Sequence, residues 1–403
     1  MRNRWFIALA AIGLHISIGS VYAWSVLTRP IMVDMGFTLS QTTWTFSLAI
    51  LMLGLSAGFL GSFAEKIGPK KSGLLAMLFW VTGLFGTAYA LSIHNLTLLY
   101  LFYGIIGGIG LGIGYITPVS TLVKYFPNRP GFATGLAIMG FGFASLIAGP
   151  LMQYLVAQVG LVDNFIILGI IYLVVMGASS IYLKAPQPKQ PTRTTKDKST
   201  MYVHNHGMLA NDAMKTWQFG ALWWVFFINI TCGIGLLSLA SPMAQETIGM
   251  TPVAAASLVG IIGIFNGGGR IAWSTISDYL GRAQTYILFF IIEIVAFYLL
   301  AQTNSALTFQ ILILLIITCY GGGFACMPAY LADLYGIRQL STIHGRILTA
   351  WGLAGIVGPM LVSYFHEAGY GYTTALECFA ALFVINTIIA IALKLYGKRE
   401  LHN

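Results

Sequence analysis

The sequence is poor in charged side chains, and that scarcity excludes several classes of protein. Of 403 residues, 21 are Lys or Arg and 12 are Asp or Glu, which together make 8% of the chain. An ordinary soluble domain has about 25%. Hydrophobic residues make up 57%, so the chain can neither cover a water-soluble fold with polar side chains nor stay disordered. We therefore predict a membrane protein that binds no nucleic acid, despite a net charge of +9.

The usual phosphate-binding and metal-binding motifs are also missing. The sequence has no GxxxxGK[ST] phosphate-binding loop and no HExxH zinc site. Its four cysteines have no CxxC spacing, so they predict neither a metal site nor a disulfide framework. We expect no enzymatic activity, no cofactor and no metal.

In place of charge, the sequence has long apolar runs. A membrane-spanning helix needs about 20 mostly apolar residues, and none of the runs has the two-residue alternation of a membrane β-strand. We predict an all-α integral membrane protein with twelve transmembrane helices. They are placed at 5–27, 44–64, 72–92, 97–121, 131–153, 163–184, 218–240, 254–276, 283–302, 307–332, 345–366 and 372–394.

The positions of the basic residues predict the orientation. Of the 21 Lys and Arg residues, 19 lie on the side of the membrane that both termini share. The exceptions are Arg29, after helix 1, and Arg270, inside helix 8. Because cytoplasmic loops are rich in Lys and Arg, we predict cytoplasmic termini in a multi-pass protein of the inner or plasma membrane.

One connection is much longer than the others. Residues 185–217 contain Pro186, Pro188 and Pro191, followed by Lys, Thr, Asp and His. Such a composition buries no core. It predicts a cytoplasmic linker between an N-terminal six-helix bundle, 1–184, and a C-terminal six-helix bundle, 218–403.

The two predicted bundles repeat each other. GSFAEKIGPKKS (61–72) and STISDYLGRAQT (274–285) both join the second and third helix of a bundle. GlyPro recurs at 149–150 and 358–359, in the fifth helix of each bundle. Because the two bundles have the same topology, the repeat is parallel, with its axis along the membrane normal.

These features resemble the major facilitator superfamily, whose loop signature combines glycine, an acid, a basic residue and glycine. FNGGGR (265–270), YAW (22–24) and GYITPVSTLVKYFPNRPG (114–131) are similar, more narrowly, to the oxalate/formate antiporter family and its monocarboxylate relatives. The resemblance implies two six-helix bundles that rock around a central site and open it to each side of the membrane in turn.

Arg270 is the most informative residue. A charge near the bilayer centre costs about 2.5–3.5 kcal/mol on insertion scales, so it persists where it faces protein or water. A guanidinium group binds a carboxylate through two parallel hydrogen bonds, and the resemblance implies that Arg270 binds the substrate anion. The alternative is that Arg270 extends along helix 8 to reach the cytoplasmic interface.

Several side chains are expected near Arg270. Tyr115 and Trp351 lie at about its depth, Tyr320 is near the middle of helix 10, and Tyr22 shares a helix face with His15. The resemblance adds that Tyr115, Tyr320 and Phe141 match aromatic positions of the family's site. The candidate substrate-binding residues are Arg270, Tyr22, Tyr115, Phe141, Asn266, Tyr320, Phe324 and Trp351. The alternative for each aromatic residue is packing against lipid or at the membrane interface. The alternative for Asn266 is a hydrogen bond between two helices.

The remaining candidates concern protons and gating. His15 is the candidate for proton coupling, because imidazole titrates near neutrality; the alternative is a structural histidine. The resemblance implies that Glu65 and Asp278 bind helix N-termini of the opposite half when the cytoplasmic gate is closed. Arg129 and Arg346 are their candidate ion-pair partners, and solvated loop charges are the alternative.

We predict a monomeric secondary transporter of small monocarboxylates such as formate, lactate or pyruvate, by proton symport or anion exchange. The family's dicarboxylate member has a second cation, a lysine in helix 11. Aligning Gly358-Pro359 with that helix places Trp351 at the lysine's position, so we expect one substrate carboxylate. One alternative is an oxalate/formate-type dicarboxylate antiporter. A second is a multidrug exporter, which would need an acidic residue deep in the central helices. A third is a non-transporting anion sensor, which would need a signalling domain.

Overall fold

A computed structural model describes residues 3–126, 130–185, 207–336 and 339–397. Within these ranges every regular element is helical, and the twelve membrane helices are labelled α1–α12 in chain order. The first half contains α1 (Arg4–Gly19, the 3-10 turn Ser20–Ala23, and Trp24–Met35), α2 (Leu39–Ile67), α3 (Pro69–Ser92), α4 (Leu96–Leu99, the π-helical Tyr100–Gly107, and Gly108–Tyr125), and α5 and α6 within Pro130–Tyr182. The second half contains α7 (Trp217–Ser238 and Ala240–Ile248), α8 (Pro252–Leu280), α9 (Arg282–Gln302), α10 (Ala306–Tyr335), α11 (Leu340–Ile347 and Thr349–Glu367) and α12 (Gly371–Tyr396).

Helices α5 and α6 form one continuous run that turns back at Gly160. The run contains an apolar stretch of 48 residues, one of 11 stretches among the described residues that are long and apolar enough to span a membrane. At about 1.5 Å per residue it is more than twice the thickness of the hydrocarbon core. Gly160 has φ 85° and ψ 177°, a conformation that glycine adopts without strain. The chain therefore crosses twelve times, which confirms the predicted all-α membrane fold.

The internal repeat is visible in the backbone. Gly68 and Gly281, which join the second and third helices of the two halves, have φ values of 82° and 92°. Gly36 and Gly249, which end α1 and the corresponding α7, have φ values of 69° and 65°. Matching left-handed turns at matching positions show that the two halves use the same local geometry.

Glycine residues bring the two halves into backbone contact. A Cβ atom on Gly54 of α2 would lie 2.5 Å from the Cα of Gly352 in α11. In the same way, a Cβ atom on Gly142 of α5 would lie 2.9 Å from the Cα of Gly267 in α8. Any larger residue would separate these helices, because real side-chain carbons do not come so close.

Ser56 lies between Gly54 and Gly58, in the spacing of a hydrolase nucleophile, Gly-x-Ser-x-Gly. Ser56 lies in the middle of α2, however, and its hydroxyl donates to the Met52 carbonyl at 2.6 Å. A nucleophile elbow requires a sharp turn between a strand and a helix. Ser56 is therefore a helix-packing residue.

Part of the predicted linker is structured. Residues 186–206 lie outside the described ranges, but 207–216 fold against the end of α10. Met208 N–H donates to the Tyr335 carbonyl at 2.8 Å, and the Ala210 N–H donates to Gln339 Oε1 at 2.7 Å. The linker is thus tied to the second half before α7 begins; the division into two bundles with the stated boundaries stays a prediction.

The glycine contacts generate a stability test. Gly54→Ala should lower the thermal unfolding temperature of the purified protein, because overpacking against backbone typically costs about 1–3 kcal/mol. The matched control is Gly268→Ala, since a Cβ atom there meets nothing within 4 Å. Equal unfolding temperatures for the two variants would show that α2 and α11 are not in backbone contact.

Candidate substrate-binding site

Arg270 lies in the interior of the protein. Its side chain is 0% exposed, because the glycines beside it let α10 approach closely: a Cβ atom on Gly269 would lie 2.5 Å from the Thr318 carbonyl oxygen. Arg270 Nε donates to Asn266 Oδ1 at 3.3 Å, one turn earlier on α8. Its Nη1 and Nη2 have no hydrogen-bond partner among the described residues. The burial removes the snorkelling alternative.

The six predicted aromatic residues form a closed circuit beside Arg270. Successive ring centroids are 4.8–6.3 Å apart, and each contact is edge to face, the arrangement that aromatic quadrupoles favour. In order around this aromatic circuit the residues are Tyr22, Phe141, Tyr115, Trp351, Phe324 and Tyr320. The first three come from the first half of the chain and the last three from the second.

The two halves therefore meet at two successive contacts of the circuit, and also across it, where the ring centroids of Phe141 and Trp351 are 5.9 Å apart. Tyr115 contacts Trp351 with ring centroids 5.1 Å apart. Tyr22 and Tyr320 share a hydrogen bond of 2.9 Å between their hydroxyl groups. Tyr22 reaches this position from the 3-10 turn Ser20–Ala23, where α1 tightens locally. A motion that separates the halves must break these contacts.

Arg270 packs against this aromatic circuit. Its Cζ lies 5.0 Å from the centroid of Phe324, within the range of a cation–π interaction. The hydroxyl groups of Tyr22 and Tyr115 are close enough to interact with the guanidinium group. Two further donors, Asn266 Nδ2 and Trp351 Nε1, have no partner within the described part of the chain. The site thus offers hydrogen-bond donors and a positive charge, which suits an anion rich in acceptor oxygens.

His15 lies beside the circuit, stacked on Tyr115 with ring centroids 5.4 Å apart. It is 0% exposed. Both ring nitrogens face backbone carbonyl oxygens, Nδ1 that of Ala137 at 2.5 Å and Nε2 that of Tyr115 at 2.9 Å. His15 therefore ties α1 to α5 and α4 at the edge of the candidate site.

Two of the predicted gating residues, Asp278 and Arg346, lie at the basic end of the protein, the end that carries Lys66, Lys70 and Arg282. Asp278 pairs with Arg282, one turn further along the chain, at 2.6 Å. Arg346 donates to Asn211 Oδ1 at 2.8 Å, in the structured part of the linker. The Glu65 side chain and Arg129 lie outside what the structure describes, so the gating roles of all four residues stay predictions.

Contacts at the opposite end, the far end, were missed by the sequence reasoning. Glu367 at the end of α11 accepts hydrogen bonds from Ser40 N–H (2.7 Å) and Ser40 Oγ (2.5 Å), at the first turn of α2. Ser363 donates to Thr43 at 2.9 Å. A carboxylate stabilises a helix N-terminus, so Glu367 joins the two halves at the far end.

These contacts enclose the site. Every member of the aromatic circuit is at most 3% exposed. The glycine contacts lie beside the circuit, and the Glu367 contact closes the far end. The candidate site is therefore buried between the two halves, and its far end is closed.

Comparison with known proteins agrees with this architecture. The family model described as Major Facilitator Superfamily matches residues 6–319. The chain belongs to the major facilitator superfamily. This family and fold are those of multi-pass membrane transporters and not of enzymes.

Individual relatives within the superfamily cover most of the chain. The MFS-type transporter YhjX of Escherichia coli (strain K12) is 30% identical over 88% of this chain and 86% of its own length. The oxalate:formate antiporter of Oxalobacter formigenes is 26% identical over 97% of this chain and 90% of its own length. Human monocarboxylate transporter 14 is 21% identical over 96% of this chain and 89% of its own length.

Among solved structures, a bacterial homolog of the human lysosomal transporter Spinster, in an inward-facing and unoccupied conformation, has a similar fold. Its TM-score is 0.76 at 14% identity, over 97% of each chain. At this identity the likeness shows the fold alone.

The far-end contact generates a conformational test. Glu367→Gln removes the charge at the N-terminus of α2, which is worth about 0.3–1 kcal/mol, so the state closed at the far end should lose population by about two- to fivefold. Electron–electron resonance distances between spin labels on Val33 and Val253, both well exposed, should lengthen.

The control for this test is Glu377→Gln at the same end. Glu377 accepts from Gln302 at 2.9 Å, within the second half, so its loss should not separate the halves. If both variants give the wild-type distance distribution, Glu367 does not hold the far end closed.

Proposed function

We propose that the chain is a secondary transporter of small monocarboxylate anions, working by alternating access with anion exchange or proton symport. The observation that carries this proposal is the buried guanidinium group of Arg270. Its Nη1 and Nη2 form no hydrogen bond within the described part of the chain, and no described carboxylate forms an ion pair with it. An unpaired buried charge is strongly destabilising, so the site is built for a ligand that supplies the missing negative charge.

The geometry of the guanidinium group favours a carboxylate. Two parallel N–H donors match the two oxygens of one carboxylate, while Nε is already engaged by Asn266. The aromatic circuit supplies apolar walls and excludes water, which strengthens electrostatic interactions inside the site. A small organic acid fits such a site, because the guanidinium group binds its carboxylate and the aromatic side chains contact its short apolar tail.

Counting charges favours one carboxylate over two. Trp351, which stands where the dicarboxylate-transporting relative is expected to have lysine, is uncharged and packs within the circuit, 4.8 Å from Phe324 and 5.1 Å from Tyr115 between ring centroids. A second carboxylate would be buried without a cation, at a cost of several kcal/mol. The unpartnered Trp351 and Asn266 donors instead suit a keto or hydroxyl oxygen, as in pyruvate or lactate.

The relatives support this substrate class. They include a protein named for oxalate and formate and one named for monocarboxylates. An oxalate/formate-type exchange therefore stays the alternative within transport. A multidrug exporter is less favoured, because the described site residues offer a cation where that function needs an acid.

The direct test of the function is uptake into proteoliposomes. Labelled formate, lactate, pyruvate and oxalate are offered with and without an opposing anion inside, and with and without a proton gradient. We expect monocarboxylates to enter and to exchange, and oxalate to compete poorly. Failure of every monocarboxylate to be transported or bound would refute the proposal.

The role of Arg270 has its own test. Arg270→Lys keeps the charge but loses the two-pronged donor, so equilibrium affinity for pyruvate should fall about ten- to hundredfold, as expected for hydrogen bonds to a charged group. Isothermal titration in detergent measures this. The control is Arg4→Lys, at the exposed start of α1, which should bind pyruvate like wild type. Wild-type affinity in Arg270→Lys would show that the guanidinium group does not contact the anion.

Trp351 should set the number of carboxylates. Trp351→Lys adds a cation to the site and should shift the preference from pyruvate toward oxalate in competition assays. Trp351→Phe is the matched control, because it keeps an aromatic wall without a charge and should leave oxalate a poor competitor. Tightest wild-type binding of oxalate would contradict both the alignment of α11 and the charge count.

A further inference from the structure

Each ring nitrogen of His15 faces a backbone carbonyl oxygen, which can only accept a hydrogen bond. The Ala137 carbonyl on α5 faces Nδ1 at 2.5 Å, and the Tyr115 carbonyl on α4 faces Nε2 at 2.9 Å. A neutral imidazole carries one N–H and one lone pair. In the neutral form one nitrogen lone pair therefore faces a carbonyl oxygen, whereas imidazolium donates to both. The two carbonyl oxygens are therefore placed to accept from both N–H groups of a protonated His15 ring.

The surroundings of His15 contain an opposing influence. Burial of the ring is the largest influence against its charged form, and the charge of Arg270 from α8 adds a smaller one, because like charges repel each other in a dry interior. The other titratable groups nearby are Tyr115 from α4, which stacks on the ring, and Tyr22 on α1 itself. Helix α5 contributes the Ala137 carbonyl and the Phe141 ring. No described carboxylate forms an ion pair with His15.

An anion on Arg270 removes the electrostatic part of this opposition. Once a carboxylate neutralises the guanidinium group, the two carbonyl oxygens stabilise a proton on His15 without a neighbouring uncompensated charge. The effect is reciprocal, because linkage requires a proton on His15 to raise anion affinity by the same factor by which the anion raises proton affinity.

We propose that His15 is the proton-binding site of this transporter, coupled to the substrate site through the charge of Arg270. This proposal rests on the proposed anion-binding role of Arg270. One solvent proton forms an N–H bond on the imidazole when one carboxylate binds, so the loaded carrier gains no net charge. The cargo of each half-cycle is then one monocarboxylate and one proton, released together when the site opens to the other side.

Proton uptake on anion binding measures this coupling directly. Pyruvate is titrated into the purified protein by calorimetry in buffers of different ionisation enthalpy, over a range of pH. Wild type should take up close to one proton per pyruvate in the pH range where His15 is neutral without the anion and protonated with the anion bound. There its affinity should fall about tenfold per pH unit as pH rises.

Three variants assign the proton. His15→Gln should bind pyruvate with no proton uptake and no such pH slope. His94→Gln, in an exposed loop, should behave like wild type. Glu293→Gln tests the competing buried acid, which is 0% exposed and accepts from Asn229 at 3.3 Å; we expect it to keep the proton uptake. Uptake that persists in His15→Gln, or that disappears only in Glu293→Gln, overturns the proposal.

A second measurement does not depend on folding of the His15 variant. Nitrogen-15 NMR of labelled histidines should show that His15 holds its proton to higher pH in Arg270→Gln than in the anion-free wild type, because the opposing charge is gone. An identical His15 titration in the two proteins contradicts the coupling. Pyruvate binding without proton uptake in wild type refutes the coupling but leaves the transport proposal intact, whereas absence of any anion binding refutes the transport proposal.

Discussion

A guanidinium group without an acidic partner, buried inside a bundle of apolar helices, is the constraint on which the rest of the structure depends. Arg270 is 0% exposed and its terminal nitrogens have no described partner. Placing such a charge in the membrane is unfavourable, so the surroundings must compensate. The Phe324 ring, the Asn266 side chain and the nearby tyrosine hydroxyls do so in part, and the proposed anion completes the compensation.

The same constraint explains why the two halves meet at this point. The aromatic circuit closes only when residues of both halves are together, and it breaks at Tyr22–Tyr320 and Tyr115–Trp351 when they part. Glycine contacts hold α2 against α11 and α5 against α8, so the closed state is well defined. A central site assembled from both halves is what alternating access requires.

Much of this architecture could be predicted from the sequence. The twelve apolar runs and their basic flanks predict the helices, and depth along them places Tyr115 and Trp351 near Arg270. The far-end contact was missed, since Glu367 and Ser40 are far apart in the chain and nothing local marks either one. A signal for the glycine contacts was available, because Gly54 and Gly267 are separated by the same 213 residues as Glu65 and Asp278. The pairing of Asp278 with Arg282 depends on side-chain rotamers, which the loop signature does not specify.

The most direct test of the account is a cryo-electron microscopy structure of the protein with pyruvate bound. We expect both carboxylate oxygens to lie within about 3.2 Å of Nη1 and Nη2 of Arg270. The methyl and keto groups should face the aromatic circuit, with the keto oxygen toward the Trp351 or Asn266 donor. Pyruvate bound elsewhere, with the Arg270 guanidinium group paired to a protein carboxylate, would contradict it.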